Sequence, residues 1–279
     1  MKFAVFELSG DYAHFKVPES TRGSFTFPFP PRTALMGLIA GILGIQRNSY
    51  WQEDQKLYST KIAVEVLSEV VKDSFKVNYT QTKNITSLQK ITGAPISIMI
   101  PKNPAKDRGF TTQFKLDVLR NVKYRVYVNI EDNALHEEFV KRLKEKRYVY
   151  PPYLGHVNFF ANIDFIGNFD ARFLDSGQYE LDGLIATMAL VDEKDLLYQS
   201  GGLVVLFNVP MVMKAYKHNI GDELPGVYSC ETCRLENIIF QIENKSRLKM
   251  KIKEKSAIAI TVNNRKKNLV LLPSNAINA

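Results

Sequence analysis

The sequence predicts an α+β fold in two parts, a mixed part over residues 1–169 and a smaller β-rich part over residues 170–279. Short segments of alternating apolar residues indicate strands throughout the chain. Three segments have helical character, residues 34–43, a polar one at 51–58 and 134–146, and all lie in the first part. After residue 170 only short alternating segments and turns remain, so this part is expected to form a β domain or to extend the first sheet.

The predicted elements of the first part run strand, helix, strand, strand, helix, strand, with further strands inserted before the second helix. The first helix follows a turn rich in proline, which prevents a regular element before it. The segments are 2–8, 34–43, 62–68, 71–82, 110–119, 122–130, 134–146 and 163–167. This βαββαβ order is the ferredoxin-like pattern, which the RNA-recognition motif (RRM) also has. The two aromatic signatures of that motif are not evident here.

Positive charge is concentrated in one segment. The chain has 279 residues and a formal net charge of +8. Residues 74–128 contain ten basic and two acidic residues, whereas residues 131–279 contain 19 of each. A long basic stretch attracts polyanions by counterion release. Nucleic acid is therefore the first expected partner, and an acidic protein is the second.

The basic segment includes a long stretch, 83–110, that has weak periodicity and several glycines and prolines. Such a stretch indicates a long loop or a protruding hairpin, and long loops in compact domains are usually functional or disordered. Lys83, Lys90 and Arg108 are its candidate RNA-binding residues.

The sequence predicts neither a metal site nor a cofactor. Cys230 and Cys233 form a single CxxC, whereas a structural zinc site usually takes four ligands. Two reduced thiols in a turn, or a metal site completed by a partner, remain the alternatives. No apolar run approaches the length of a membrane span, and the start of the chain lacks a signal peptide's features. We therefore expect a cytoplasmic protein that does not contact a membrane.

Residues 10–37 are the most unusual stretch, since they combine cations and aromatic rings with glycines and prolines. Such a stretch offers exposed amides and cations to phosphates and stacking surfaces to bases. A helix beginning near Thr33 adds an anion site at its N-terminus. The alternative is a rigid chain reversal whose aromatic rings pack in the core, with Arg32 facing water or Asp11. The candidate RNA-binding residues here are Tyr12, His14, Lys16, Arg22, Arg32 and Thr33.

A second proline-containing stretch, residues 148–167, includes the candidate RNA contacts Tyr153 and His156. Its prolines end the preceding helix, and Gly155 allows a tight turn. A packed corner that orients the next strand is the alternative.

A further basic feature is the segment 247–255, which places five cations on one face of a strand. These cations indicate either a solvated edge strand or a further nucleic-acid contact.

Two of these stretches carry a family resemblance. The segment GDYAHFKVPESTRGSFTFPFPPRTALMGLIAGILG resembles the N-terminal signature of the CRISPR-associated Cas five family, most closely its type I-B branch. The segment YPPYLGHVNFFANI is similar to the second block of that branch. The basic insertion lies between the two blocks, as it does in the family.

The resemblance implies a function that composition does not show. Members of this family belong to the repeat-associated (RAMP) superfamily and cap one end of the type I antiviral effector, Cascade. They hold the 5′ handle of the guide RNA (crRNA), contact the large subunit and the adjacent backbone subunit, and lie near the target DNA. A hairpin called the thumb crosses the guide, and here it is expected within residues 78–115.

The expected protein is therefore a non-catalytic RNA-binding subunit. Members of the type I-C branch cleave precursor RNA with Tyr, Lys and His side chains. Tyr12, His14 and Lys16 alternate and could share one face of an extended segment. A metal-independent endoribonuclease is thus one alternative, and an adaptor that binds an acidic protein is another.

Overall fold

The computed structural model describes residues 1–17, 24–46, 50, 56–80, 111–182, 185–187, 203–213, 233–241 and 248–273. Within these residues the chain is mostly β-sheet. Its two helices are α1 (Arg32–Leu43) and α2 (Asn133–Glu145). Its strands are β1 (Lys2–Ala13), β2 (Lys61–Val66), β3 (Val71–Thr80), β4 (Thr111–Asn129), β5 (Asn162–Phe173), β6 (Gly177–Leu181), β7 (Ile185–Thr187), β8 (Leu203–Met213), β9 (Cys233–Gln241), β10 (Leu248–Ile252), β11 (Ala257–Val262) and β12 (Arg265–Val270).

Seven strands form the main sheet, in the order β12-β11-β5-β1-β4-β2, with β3 also paired to β4. All of these pairings are antiparallel. The long strand β4 pairs with β1 and β2 in its second half and with β3 in its first half. The sequence predicts two strands here, and the structure joins them, with Asn121 in the left-handed conformation (φ 49°) between them. Asparagine tolerates that conformation better than most residues.

Both helices contribute to the core on one face of the main sheet. Phe6 of β1 meets Phe139 of α2 edge-on, with 6.1 Å between the ring centroids. Leu35 of α1 and Tyr124 of β4 belong to the same buried core. The side chain of Asp132 caps α2 by accepting a hydrogen bond from the amide of Leu135.

The other face of the main sheet has its own buried core, because the ends of the sheet approach each other. The chain after β12 reaches β2, where the amide of Leu272 donates to the carbonyl of Ile62 at 2.8 Å. Nearby, the buried carboxylate of Glu65 on β2 accepts hydrogen bonds from Lys267 of β12 and from the hydroxyl of Tyr127. The sheet is therefore curled around a second apolar cluster.

Two of the described strands after residue 173 extend the sheet of the first part. The predicted boundary at 169–170 falls inside β5, and β11 and β12 extend the main sheet beyond it. Met211 of β8 belongs to the same buried core as α1. The two smaller sheets contain β10-β6 and β7-β9-β8. Neither of the two helices in the described residues is long and apolar enough to cross a membrane.

Candidate nucleic-acid interface

The two unusual stretches of the sequence meet at the end of β1. The amide of His14 donates to the carbonyl of Leu154 at 3.0 Å. Gly155 lies over the His14 carbonyl with a positive φ of 78°, so that a Cβ on Gly155 would come within 2.1 Å of that oxygen. A Cβ on Gly10 would approach Cδ1 of Leu154 to 2.6 Å. Glycine at both positions therefore allows the 151–161 loop to close onto β1.

Four partly exposed rings form a continuous series across this junction, which we call the aromatic row: Phe75, Tyr12, Phe159 and His156. The ring of Tyr12 contacts Phe75 of β3 edge-on at 5.0 Å and Phe159 at 5.9 Å. Phe159 in turn lies 5.1 Å from the His156 ring. Since these rings come from β1, β3 and the 151–161 loop, they fix the three elements together. Partly exposed ring faces are also suitable for stacking of nucleic-acid bases.

His14 lies beneath this surface and is almost fully buried. Its Nδ1 lies 2.7 Å from the backbone carbonyl of Asp117, and its Nε2 lies 2.8 Å from Oγ of Ser24. Burial lowers the pKa of His14 below its ordinary value, and the neighbouring His156 lowers it further. The Asp117 carbonyl acts in the opposite direction. His14 is thus a buried, neutral imidazole with a hydrogen-bond partner at each ring nitrogen.

The 151–161 loop exposes apolar side chains beside the aromatic row. Tyr153 and Phe160 pair across the base of the loop, and Val157 lies near its tip. Their exposed fractions are 50%, 68% and 65%. No charged residue occurs between positions 148 and 163. This loop therefore offers apolar contact and no charge to a ligand.

Cations also lie on the two paired strands that we call the hairpin arms, β3, which carries Phe75, and residues 111–120 of β4. The register places Lys76 and Lys115 on the face opposite to Phe75. Lys76 and Lys115 are direct cross-strand partners, and both are exposed. Like charges placed opposite each other destabilise a sheet, so an anion bound there would relieve the repulsion. Arg120, paired with Tyr12, brings a further cation to the row. The exposed cations near the row are Lys16, Lys72, Lys76, Lys115 and Arg120.

Few carboxylates oppose these cations. Asp117 lies 3.4 Å from Lys115, and Asp73 lies 3.5 Å from Arg120. Ion pairs between exposed side chains contribute little stability. The hairpin arms therefore retain a positive surface that a phosphate chain would neutralise.

Two further candidate residues are engaged within the protein, Arg32, which is buried, and Thr33, which is half-buried. Arg32 is the first residue of α1, and its Nη2 donates to the carbonyls of Thr60 at 3.0 Å and Tyr58 at 3.4 Å. Burial lowers the pKa of Arg32 to about 10, which leaves it charged at neutral pH. The hydroxyl of Thr33 donates to the carbonyl of Pro210 on β8. Both side chains are engaged by backbone carbonyls, and we do not include them in the candidate interface.

Comparison with known proteins identifies the family. A family model described as CRISPR-associated protein (Cas_Cas5) matches residues 3–181, which include both unusual stretches and the hairpin arms. The chain belongs to this family. The predicted Cas five membership is thereby confirmed, and the protein is CRISPR-associated. No curated protein is a significant sequence match.

One solved structure resembles this chain in fold, and a second covers almost all of it at a lower TM-score. A structure described as a CRISPR RNA-guided surveillance complex is 15% identical, with a TM-score of 0.50, over 88% of this chain and 91% of that chain. A CRISPR protein from Archaeoglobus fulgidus is 10% identical, with a TM-score of 0.46, over 98% of this chain and all of that chain. At these identities the first likeness concerns the fold alone.

Several candidates lie outside the described residues. These are Arg22, Lys83, Lys90, Arg108 and Cys230, together with residues 81–110 of the predicted thumb. Cys233 begins β9. Within the described ranges, no group of three or more His, Cys, Asp or Glu side chains is arranged to hold a metal ion.

The structure also adds residues to the Cas five interface that sequence patterns did not indicate. Phe75 and Phe159 complete the aromatic row, and Ser24 binds His14. Phe75 and Phe159 are separated from Tyr12 by many residues, and no local sequence pattern pairs Ser24 with His14. The opposed pair Lys76 and Lys115 belongs to the basic segment, but its register becomes visible only in the fold.

Proposed function

We propose that this chain is a non-catalytic subunit of a Cascade-type CRISPR effector that binds and caps the 5′ handle of the guide RNA. Membership of the Cas five family supports the Cascade-type assignment. The resemblance of the two sequence blocks supports the type I-B branch and, with it, contacts to the large subunit and the adjacent backbone subunit near target DNA. A cytoplasmic location remains part of this proposal.

The observation that carries the RNA-binding proposal is the aromatic row together with the exposed cations of the hairpin arms. Rings such as Tyr12 provide stacking surfaces for bases, and Arg120, the cross-strand partner of Tyr12, provides charge on the same face. Lys76 and Lys115 add charge on the other face of the arms. Single-stranded nucleic acid is bound by this combination of aromatic side chains and a basic track. The basic residues of the sequence between the two arms would extend the track along the guide.

We also propose that the first part has the ferredoxin-like arrangement with an inserted thumb. The strand order β5-β1-β4-β2, with α1 after β1 and α2 after β4, supports it. In that order the first and third strands of the βαββαβ pattern are central. The hairpin arms continue from β2 and β4, at the position of an insertion between the second and third strands of the pattern.

The proposed absence of catalysis is supported by the surroundings of His14. Cleavage by attack of a 2′-hydroxyl needs a base that reaches the ligand. His14 is buried, and both of its ring nitrogens have partners within the protein. Incubating repeat RNA with the purified chain, in EDTA and in magnesium, tests this point. Intact RNA is expected, and site-specific cleavage abolished by His14→Ala would establish the endoribonuclease instead.

The RNA-binding proposal is tested by affinity purification of the tagged chain followed by RNA sequencing and mass spectrometry. The expected RNA begins with a repeat-derived 5′ segment and crosslinks under ultraviolet light to Tyr12 or Tyr153. The expected proteins are other subunits of the effector. Recovery of an acidic protein without RNA would support the adaptor function and would contradict the proposal.

A further inference from the structure

A chain of hydrogen bonds runs from the backbone of β4 through His14 to Ser24. Nδ1 of His14 lies 2.7 Å from the carbonyl oxygen of Asp117, and Nε2 lies 2.8 Å from Oγ of Ser24. A carbonyl oxygen accepts hydrogen bonds and does not donate them. Nδ1 must therefore carry the proton of the neutral ring.

This tautomer determines the direction of the next hydrogen bond. With the proton on Nδ1, Nε2 of the neutral ring has only a lone pair. Burial favours that neutral form by lowering the pKa of His14. Ser24 must then donate its single hydroxyl hydrogen to Nε2. The Oγ atom of Ser24 then has no hydrogen left to donate, and its lone pairs can only accept a hydrogen bond from a ligand.

The position of this acceptor is fixed by the backbone. The amide of Ser24 donates to the carbonyl of Lys115 at 3.0 Å, and the carbonyl of Ser24 accepts from the amide of Asp117 at 2.9 Å. Ser24 is thus held along β4 as the partner of Leu116, with its side chain on the face opposite to that of Lys115. It is only half-buried, so it lies at the edge of the candidate interface.

An acceptor-only hydroxyl selects a particular ligand group. The unesterified oxygens of a phosphodiester are acceptors and have no hydrogen to give to Ser24. The donor that the sugar-phosphate backbone of RNA offers is the ribose 2′-hydroxyl, which DNA lacks. A donor on a base edge is the alternative that the test below separates from it.

We propose that Ser24 accepts a hydrogen bond from a ribose 2′-hydroxyl of the bound strand, so that this site distinguishes RNA from DNA. His14 positions the hydroxyl of Ser24 and does not itself touch the ligand. This inference rests on the proposed function, since it requires that the interface bind RNA.

The test measures the affinities of single-stranded RNA carrying the repeat-derived 5′ handle and of its all-deoxyribose counterpart. Ser24→Ala is compared with the wild type and with Ser176→Ala. Ser176 is the control because it is an exposed serine in the bend between β5 and β6, outside the aromatic row and the hairpin arms. Ser24→Ala should weaken RNA binding about three- to tenfold, the loss of one neutral hydrogen bond, and leave DNA binding unchanged. Ser176→Ala should change neither affinity.

Single deoxyribose substitutions along the handle identify the source of the donor. One of them should weaken binding to the wild type as much as Ser24→Ala does and cause no further loss in that variant. Three results would overturn the inference while leaving the proposed function intact. The loss could be coupled to a base substitution and not to a deoxyribose; Ser24→Ala could weaken RNA and DNA binding equally; or Ser24→Ala could bind RNA as tightly as the wild type does. A wild-type chain that binds neither strand would overturn both.

Discussion

Gly155 lies against the carbonyl of His14 so closely that a Cβ would come within 2.1 Å of the oxygen. This contact joins two stretches that are separated in the sequence by most of the first part of the chain. Together with the hydrogen bond from the His14 amide to Leu154, it attaches the 151–161 loop to β1. The aromatic row depends on that attachment, because Phe159 reaches Tyr12 from the same loop.

Replacing Gly155 with alanine should therefore destabilise the protein. The change introduces both the close contact and a positive φ that side chains disfavour, and such backbone strain costs about 1–3 kcal/mol before any steric overlap. Gly41→Ala is the matched control, because its Cβ would meet only Cβ of Tyr150 at 3.9 Å and alanine favours the helix. Thermal denaturation should show a lower midpoint for Gly155→Ala alone. Equal midpoints for the two variants would show that the loop does not rest on His14.

His14 predicts a pH dependence of folding stability. Its folded-state pKa lies below the ordinary value of 6.5, chiefly because of burial, with smaller contributions from His156 and Lys16. As the pH falls through about 6.5, the unfolded state binds the proton first. The contribution of His14 is therefore fully present above that pH and is lost as the pH falls toward the folded-state pKa.

Urea denaturation of the wild type and His14→Gln at several pH values measures this effect. The free energy of unfolding should fall more steeply for the wild type than for the variant between about pH 7 and about pH 5. The carboxylates with lowered pKa, such as Glu7, titrate below this window. Parallel curves for the two proteins would mean that His14 is not buried in the neutral form.

The contact between Lys267 of β12 and Glu65 of β2 should stabilise the closure of the curled sheet. Glu65 is buried on β2, and the loss of Lys267 from β12 would leave its charge without this partner. Removing one partner of a buried pair costs roughly 3–5 kcal/mol when the other charge is left alone, and a smaller loss is expected here because Glu65 keeps the Tyr127 hydroxyl and Arg125 at 3.8 Å. Lys267→Met should therefore lower the free energy of unfolding, whereas Lys266→Met, at an exposed neighbouring position, should not. Equal stabilities would show that the pair contributes nothing to closure.

The opposed lysines of the hairpin arms predict a change in salt dependence. Replacing Lys76 and Lys115 with glutamine should reduce the slope of log affinity against log salt by about 0.7 for each phosphate that the protein no longer neutralises. Neutralising Lys83, Lys90, Lys102 and Arg108 should reduce it further. Salt titrations of RNA binding would measure both slopes, and slopes equal to that of the wild type would place these charges away from the RNA.

The sequence predicted the local elements well where periodicity was strong. Helix α2 was predicted at 134–146 and lies at Asn133–Glu145. The first strand was expected to end before Gly10, but β1 continues to Ala13 because Gly10 pairs with Val122 and allows the loop to pack above it. Local patterns contain no information about such long-range contacts.

The candidate site was predicted in part for the same reason. Tyr12 and His156, one from each of the two stretches, both contact Phe159 in a partly exposed row. Lys16 and Tyr153, in contrast, are exposed on the same two stretches. Arg32 was expected to contact a phosphate at the N-terminus of the first helix, but its guanidinium is buried and donates to the carbonyls of Tyr58 and Thr60. A charged residue at a helix start does not reveal whether its side chain points inward.

Recognition of the 5′ handle by the aromatic row is most directly tested by the affinity of the chain for RNA with and without the handle. The wild type should bind the handle-bearing RNA more tightly. Tyr12→Ala should remove most of that preference, a loss of about 1–3 kcal/mol for one stacked base, while Tyr12→Phe, which keeps the ring, should retain it. Equal affinity of the wild type for both RNAs, or a preference that survives Tyr12→Ala, would contradict the account.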